Sequence, residues 1–369
     1  MLSKIFTTVA VVASLVTAQT FTECDPTKRD DCPNPKAVGS KPVDVDFRKG
    51  ANSFFKVADG TSLKYDTSLG AVFSINKETD APTISSEKYI FFGQVDVTVR
   101  AARGKGIVTS FVLQSDDLDE IDWEWLGADN AQVQTNFFSK GCTDTYDRGG
   151  FSAVADPINQ FHTYTIKWGP KQLQWIIDGA VVRTLENTGI DGCAGYPQSP
   201  MQIKLGTWVA GRADAPPGTI EWAGGVADFG DIPFDGYYQS LRIVDGMGAQ
   251  GATEATAYHY TDRTGKWESI KVVNGGNESK PSGTSTKSSS TTAKPTSSGA
   301  TTMTTVSSSH TASSNGTITS TSLTPTGTTG NGNSETGSAE PSVSTGAAPT
   351  MAGNMAAMGA AALLGYLVL

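Results

Sequence analysis

Short runs in which apolar and polar residues alternate recur along the chain, and they restrict its fold more than any other feature. Residues 94–99 and 164–168 alternate with the period of two that a half-buried β-strand requires, and residues 107–113 form a continuous apolar strand. An Asp-Gly pair at 178–179 separates two β-rich runs, which is a strong hairpin signal. Helical periodicity is missing from this region. Many short strands with Gly-rich turns predict an all-β antiparallel sandwich or barrel, and we favour the sandwich.

The first residues have the pattern of a secretory signal peptide. Lys4 precedes an apolar run at 5–16, and small residues follow at 16–18, where a signal peptidase would cut. We therefore expect residues 1–18 to be removed and the mature chain to begin near Gln19.

Residues 275–350 are rich in Ser, Thr, Gly and Pro and contain almost no large apolar residues. Such a segment cannot bury enough surface to offset its ordering entropy, so we expect a disordered, O-glycosylated stalk. Asn277 and Asn315 stand in N-glycosylation sequons within it.

Residues 351–369 end in a small apolar run without charge, which has the pattern of a GPI-attachment signal that is removed. Small residues precede the run, and Gly346 is our choice of attachment residue. A tail anchor and a docking helix are the alternatives. We expect the protein to be secreted and GPI-anchored at the cell membrane, linked to the cell wall, or both.

Residues 19–274 remain as one globular domain. The stalk and tail are neutral overall, and Lys4 lies in the signal peptide. The domain therefore carries a net charge of about −10, one unit more negative than the whole chain at −9. Such a charge repels phosphate backbones and argues against a nucleic-acid partner, whereas a neutral polymer is compatible with it.

Four cysteines in an oxidising route predict two disulfides. Three pairings are possible, and proximity in sequence favours Cys24–Cys32, which leaves Cys142–Cys193. No His or Cys cluster has the spacing of a metal site. We expect neither a metal nor a cofactor.

Residues 118–126 form the most informative strand. Because alternate side chains of a strand share a face, Glu120, Asp122 and Glu124 point together, and the apolar residues between them point to the core. Like charges two residues apart destabilise a purely structural strand. A solvated acidic face and a calcium site are the alternatives to catalysis.

The spacing favours a pair of catalytic carboxyl groups. Residues i and i+4 have Cα atoms roughly 13 Å apart, and two leaning Glu side chains can bring their carboxyl groups to about 5–6 Å. This separation suits a retaining glycosidase. Glu120 and Glu124 are then nucleophile and acid/base in an order that spacing leaves open, with Asp122 tuning both.

Other polar and aromatic residues are candidates for sugar binding. The candidates are Gln134, Asn136, Tyr146, Arg148, Trp208 and Trp222. Gln134 and Asn136 share one strand face and are alternatively exposed strand residues. Trp208 and Trp222 are expected at loop edges, with a place in the core as the alternative.

Residues 120–124 resemble the E-x-D-x-E signature of glycoside hydrolase family 16. The longer run 119–127 is similar to the fungal Crh-type transglycosylases, and so are residues 133–138, 161–166, 175–179 and 222–225. The resemblance covers the whole chain, although Cys24 and Cys32 are too few for the N-terminal chitin-binding module of some members.

The resemblance implies a concanavalin-like β-jelly-roll with a concave glycan-binding cleft. Glu120 would be the nucleophile, Asp122 the assisting acid and Glu124 the acid/base. The enzyme would cleave chitin and transfer it to β-1,3- or β-1,6-glucan, cross-linking the wall. Its partners would be these polysaccharides, with membrane contact only through the GPI anchor, and it would be a monomer. The alternatives are an endo-β-glucanase or chitinase acting by hydrolysis, a lectin-like wall-glycan binder and a structural wall mannoprotein.

Overall fold

Two antiparallel β-sheets lie face to face in the computed structural model, which describes residues 22–145, 147–249 and 254–275. In chain order the strands are β1 (Val43–Asp46), β2 (Phe55–Val57), β3 (Lys64–Asp66), β4 (Gly70–Ile75), β5 (Thr83–Ser86), β6 (Gly93–Arg100), β7 (Ile107–Ser115), β8 (Glu120–Leu126), β9 (Gln132–Phe138), β10 (Gly150–Ala153), β11 (His162–Trp168), β12 (Gln172–Ile177), β13 (Ala180–Glu186), β14 (Met201–Val209), β15 (Phe234–Asp245), β16 (Ala255–Tyr260) and β17 (Ile270–Asn274). One short α-helix, α1 (Pro217–Trp222), and four 3₁₀ turns join them, the turns being Phe47–Lys49, Gly192–Ala194, Phe229–Asp231 and Trp267–Ser269.

The strands form two large sheets and one hairpin. The eight-stranded sheet has the order β13-β12-β11-β6-β15-β4-β3, with β1 paired to β15, and the seven-stranded sheet has the order β10-β9-β8-β7-β14-β5-β2. Strands β16 and β17 form the hairpin. This arrangement confirms the predicted all-β jelly-roll sandwich.

The β12–β13 hairpin follows the sequence signal directly. Ile177 pairs with Ala180, so Asp178 and Gly179 are the whole turn. Both have positive φ, 48° and 84°, which is the geometry that favours an Asp-Gly pair in a tight hairpin.

The period-two pattern sorts side chains between the core and the outside. In β6, Val95, Val97 and Val99 are fully buried between the sheets, and the residues between them are partly exposed. Buried aromatic rings fill the rest of the space. The largest are Trp123, Trp125, Trp168, Trp175, Tyr164 and Tyr238.

The cysteines pair as proximity favours. Cys24 is bonded to Cys32 and Cys142 to Cys193, which confirms both expected disulfides.

Several expectations lie outside the described residues. They are the signal peptide at 1–18, the stalk beyond Gly275, the apolar tail at 351–369, the sequons at Asn277 and Asn315, Gly346 and Tyr146. In the part of the chain that is described, no helix has the length and apolar character needed to cross a bilayer.

Candidate active site

Strand β8 carries the three acids as its alternation predicts. Ile121, Trp123 and Trp125 are at most 1% exposed within the core between the sheets. Glu120, Asp122 and Glu124 point to the opposite face of the seven-stranded sheet, where they are at most 2% exposed. We call this face, which turns away from the other sheet, the site face. From the pairing registers it also carries Gln114, Gln134, Asn136, Phe151, Lys204 and Trp208.

The core holds β8 from behind. The ring of Tyr164, on the opposite sheet, lies edge-on to Trp123 and Trp125, with centroids 5.3 and 4.6 Å away. The indole Nε1 of Trp175 donates to the backbone oxygen of Asp122 at 3.0 Å. The strand that bears the acids is therefore fixed to the second sheet at its midpoint.

The start of β8 is fixed by a buried ionic network. Lys140 Nζ lies 2.6 Å from Asp119 and 2.9 Å from Asp117, and both carboxyl groups also bond the hydroxyl of Ser199. Asp119 further accepts from the backbone N–H groups of Lys140 and Gln198. These contacts give Asp119 a structural role, in keeping with its exclusion from the aligned set.

Glu120 is the acid with a donor and a nearby cation. Gln114 Nε2 donates to Glu120 Oε2 at 2.6 Å, and Lys204 Nζ donates to Gln114 Oε1 at 2.7 Å. Burial raises the pKa of Glu120 to about 7, against the opposing effects of the Gln114 hydrogen bond and the Lys204 charge.

Glu124 and Asp122 have no such support. Burial, and next the charge of Glu120, raise the pKa of Glu124 to about 8. Burial and then the charges of Glu120 and Glu124 raise the pKa of Asp122 well above its usual range, as does a side-chain hydrogen bond with Glu120. Neither Asp122 oxygen receives a protein donor, so that bond requires a proton shared between the two carboxyl groups.

The three carboxyl groups therefore differ in their readiness to ionise. Glu120 has a donor and a positive charge that favour its anion, and Glu124 has neither. A proton is kept most readily at Asp122 and Glu124 because burial disfavours the charge of all three acids and only Glu120 has a donor and a cation to oppose this effect. The face can thus present an anionic carboxylate and a protonated carboxylic acid together.

Gln134 and Asn136 lie beside the acids, as their shared face predicted. Gln134 pairs with Glu124 and Asn136 with Asp122 across β8 and β9. Both amides are 4% exposed, which excludes the alternative of exposed strand residues. Asn136 Oδ1 accepts from the N–H of Phe137.

The two candidate tryptophans form a pair. Trp208 is the next-to-last residue of β14 and is 4% exposed, which agrees with the core alternative. It is buried against Val108 and Ala223, and its ring stacks on that of Trp222 with centroids 6.2 Å apart. Trp222 ends α1 and donates Nε1 to Gln134 Oε1 at 2.8 Å, which places it at the site face.

Arg148 has a setting that argues against the predicted sugar contact. Its guanidinium donates to the backbone oxygens of Cys142, Thr145 and Cys193, and it lies over the ring of Phe138. These bonds fasten the loop that the Cys142–Cys193 disulfide closes.

Comparison with known proteins decides the family. The model of glycosyl hydrolases family 16 matches residues 51–224. Crh-like protein 5 of Aspergillus fumigatus is 45% identical over 263 residues, which are 71% of this chain and 64% of that protein. Crh-like protein 1 of the same organism is 44% identical, over 72% of this chain and 70% of its own length. The chain belongs to glycosyl hydrolase family 16.

A solved structure agrees with this membership. The Crh5 transglycosylase in complex with NAG has 45% sequence identity and a TM-score of 0.63, covering 68% of this chain and all of its own. Congo red hypersensitive protein 1 of Saccharomyces cerevisiae is 42% identical over 68% of this chain and 48% of its own length. The chain is thus an enzyme of family 16 and similar to its Crh-like members.

Two residues that contact this site, Gln114 and Lys204, were not predicted from the sequence. Gln114 precedes Glu120 by 6 residues and Lys204 follows it by 84. Both approach Glu120 through the pairing of β7 with β8 and β14. Both stand in regular strands whose pairing partners a single sequence does not show. A Gln and a Lys at polar positions of strands carry no catalytic pattern of their own.

Proposed function

We propose that this chain is a retaining cell-wall transglycosylase that cleaves chitin and transfers the cleaved chain to β-1,3- or β-1,6-glucan. The observation that carries the proposal is the electrostatic difference between Glu120 and Glu124 on one strand face. A retaining mechanism needs one ionised carboxylate and one carboxylic acid about one glycosidic bond.

In the first step, the Glu120 carboxylate attacks the anomeric carbon of the donor sugar. The bond between that carbon and the glycosidic oxygen breaks, and Glu124 gives its proton to the oxygen. The reducing-end fragment leaves with a new hydroxyl, and the rest of the chain is an ester of Glu120. A protonated Asp122 donates a hydrogen bond to Glu120 and moderates its charge as the ester forms and breaks.

In the second step, a hydroxyl of the acceptor attacks the same carbon. The Glu124 carboxylate takes the hydroxyl proton, the ester bond breaks, and Glu120 is released as an anion. Two inversions leave the β configuration unchanged. Water in place of the acceptor gives hydrolysis at the same carboxyl groups.

The two substrates have different support. A donor containing N-acetylglucosamine is supported by the related Crh5 transglycosylase in complex with NAG. The glucan acceptor rests on the similarity to Crh-like proteins and on the wall-directed sequence features. Transfer also requires acceptor subsites that hold a second chain in place of water.

A labelled-acceptor assay tests transfer. The full chain is incubated with chitin oligomers and a fluorescent laminarin oligomer, and products are sized. We expect label in products larger than the acceptor. Shortened chitin without labelled product would show a hydrolase instead. Glu120→Gln separates an enzyme from a lectin-like binder. A binder keeps its function in this variant, whereas an enzyme still binds glycan but loses turnover.

We further propose that the protein is secreted, anchored by GPI and monomeric. Residues 1–18 and 351–369 support the first two statements by their sequence pattern. Release of the protein from cells by a phosphatidylinositol-specific phospholipase tests the anchor, and light scattering of the released protein tests the monomer. Retention on the cells together with continued extractability by detergent would point to a tail anchor.

A further inference from the structure

Phe151 is an aromatic ring on the site face that the proposed mechanism does not use. It lies in β10 directly opposite Gln134 of β9, and Gln134 lies directly opposite Glu124 of β8. Its neighbour Ser152 is buried on the core side, so Phe151 points away from the core. The ring is 58% exposed, and it is the only aromatic among the exposed large hydrophobic residues of the described chain.

The side-chain amide of Gln134 provides a second and independent observation. Its Oε1 accepts from Trp222 Nε1 at 2.8 Å, which fixes the direction of the amide. Its Nε2 is fully buried and has no hydrogen-bond partner. A buried donor without an acceptor costs about 1–3 kcal/mol, and an oxygen of a bound ligand would remove that cost.

We propose that Phe151 and Gln134 form a sugar subsite beside Glu124. The C–H face of a pyranose ring stacks on Phe151, and a hydroxyl or acetamide oxygen of the same sugar accepts from Gln134 Nε2. Directly opposite residues have Cβ atoms about 5 Å apart, so one sugar contacts both. The subsite rests on the proposed function, in which Glu124 acts at the glycosidic oxygen.

The distance between Phe151 and the strand of Glu124 determines which sugar of the bound chain the subsite holds. Neighbouring strands lie about 4.8 Å apart, so Phe151 stands roughly 10 Å from the Glu124 strand, across the sheet and not along it. A polysaccharide that passes over β8 toward β10 therefore contacts Phe151 with a sugar that lies beyond the reacting glycosidic bond. A single exposed Phe is ordinary on a protein surface. Phe151 is singled out because it lies beside a buried amide that has no acceptor.

Binding measurements on the full chain test the subsite. In the Glu120→Gln background, calorimetry is run with two probes, a chitin tetrasaccharide and a laminarin tetrasaccharide. Phe151→Ala is expected to weaken one probe by ~3- to 10-fold, the range of a lost aromatic stacking contact. Phe151→Trp restores the affinity because it keeps a stacking surface.

Val181→Ala is the matched control. Val181 is 52% exposed in β13 of the other sheet, and its loss is expected to leave both affinities unchanged. Weaker chitin binding assigns the subsite to the donor, and weaker laminarin binding assigns it to the acceptor.

Two results would overturn the proposal: unchanged affinity for both probes in Phe151→Ala, or no binding of either probe to the Glu120→Gln parent. A wild-type chain that transfers nothing but loses binding on Phe151→Ala would refute the proposed function and leave the subsite in place.

Discussion

Gln114 donates its side-chain amide to Glu120 Oε2 at 2.6 Å, and its own Oε1 accepts from Lys204. Because the oxygen of the amide is bound to the ammonium group, the NH₂ of Gln114 has to face the carboxylate. Lys204 is thus a positioning residue that acts on Glu120 through Gln114 and through its charge. The asymmetry among the three acids originates in β7 and β14, outside the strand that carries them.

Lys204→Met is expected to shift the pH profile. Without the opposing positive charge, burial raises the pKa of Glu120 further, and the attacking anion forms only at higher pH. The acidic limb of kcat/KM should move up by about 0.5–1 pH unit. Lys204→Arg keeps the charge and should keep the limb near its original position. A limb that stays in place in Lys204→Met would show that the cation does not act on Glu120.

Glu124→Gln separates the two roles. Loss of the general acid should slow chitin cleavage by ~10²- to 10⁴-fold. An aryl glycoside with a good leaving group needs no proton, so its glycosyl-enzyme should still form, and added azide should give a β-glycosyl azide. Glu120→Gln should give no β-azide. The opposite pattern would exchange the roles of the two residues.

Glu124→Gln is also expected to stabilise the folded protein at neutral pH. The folded protein holds a proton on Glu124 with a pKa of about 8, and the unfolded chain has a pKa near 4.5. More protons are bound when folded, so the stability of the wild type falls as pH rises from 4.5 to 8. Glu124→Gln removes this loss. Urea unfolding should show the variant more stable at pH 8 and equal to wild type at pH 4. If the difference in stability between Glu124→Gln and the wild type were the same at pH 4 and pH 8, the burial penalty on Glu124 would be contradicted.

Lys140→Met should destabilise the start of β8. It leaves Asp117 and Asp119 buried without their cation, a change that typically costs 3–5 kcal/mol, here about 3 kcal/mol since Lys140 is partly exposed. Burial already raises the pKa of Asp117, so the penalty should shrink on acidification as that carboxyl group protonates. Denaturant midpoints at neutral and acidic pH measure both effects, with Lys77→Met on the surface as control. An equal loss for the two variants would exclude the network.

The sequence predicts local features of the site well. Period-two alternation places Glu120, Asp122 and Glu124 on one face because the pleated backbone of a strand points successive side chains to opposite faces. Proximity in sequence likewise gives the Cys24–Cys32 disulfide, and Asp-Gly gives the hairpin turn.

Long-range features resist such prediction. Lys204 reaches Gln114 across 90 residues of chain, and only strand pairing decides that contact. Trp208 stacks on Trp222 and is buried against Val108 and Ala223, contacts that only the folding of the chain brings together. Arg148 follows Cys142 in a loop, and the backbone oxygens of Cys142 and Thr145 accept hydrogen bonds from its guanidinium. Period and spacing do not encode these partners.

The three acids occupy alternate positions within five successive residues of a single strand. Their separations are therefore set by the geometry of one strand and do not depend on how distant segments of the chain pack together. Substitutions in β9 and β10 can therefore change the surface that faces the sugar while the spacing of the three carboxyl groups stays the same.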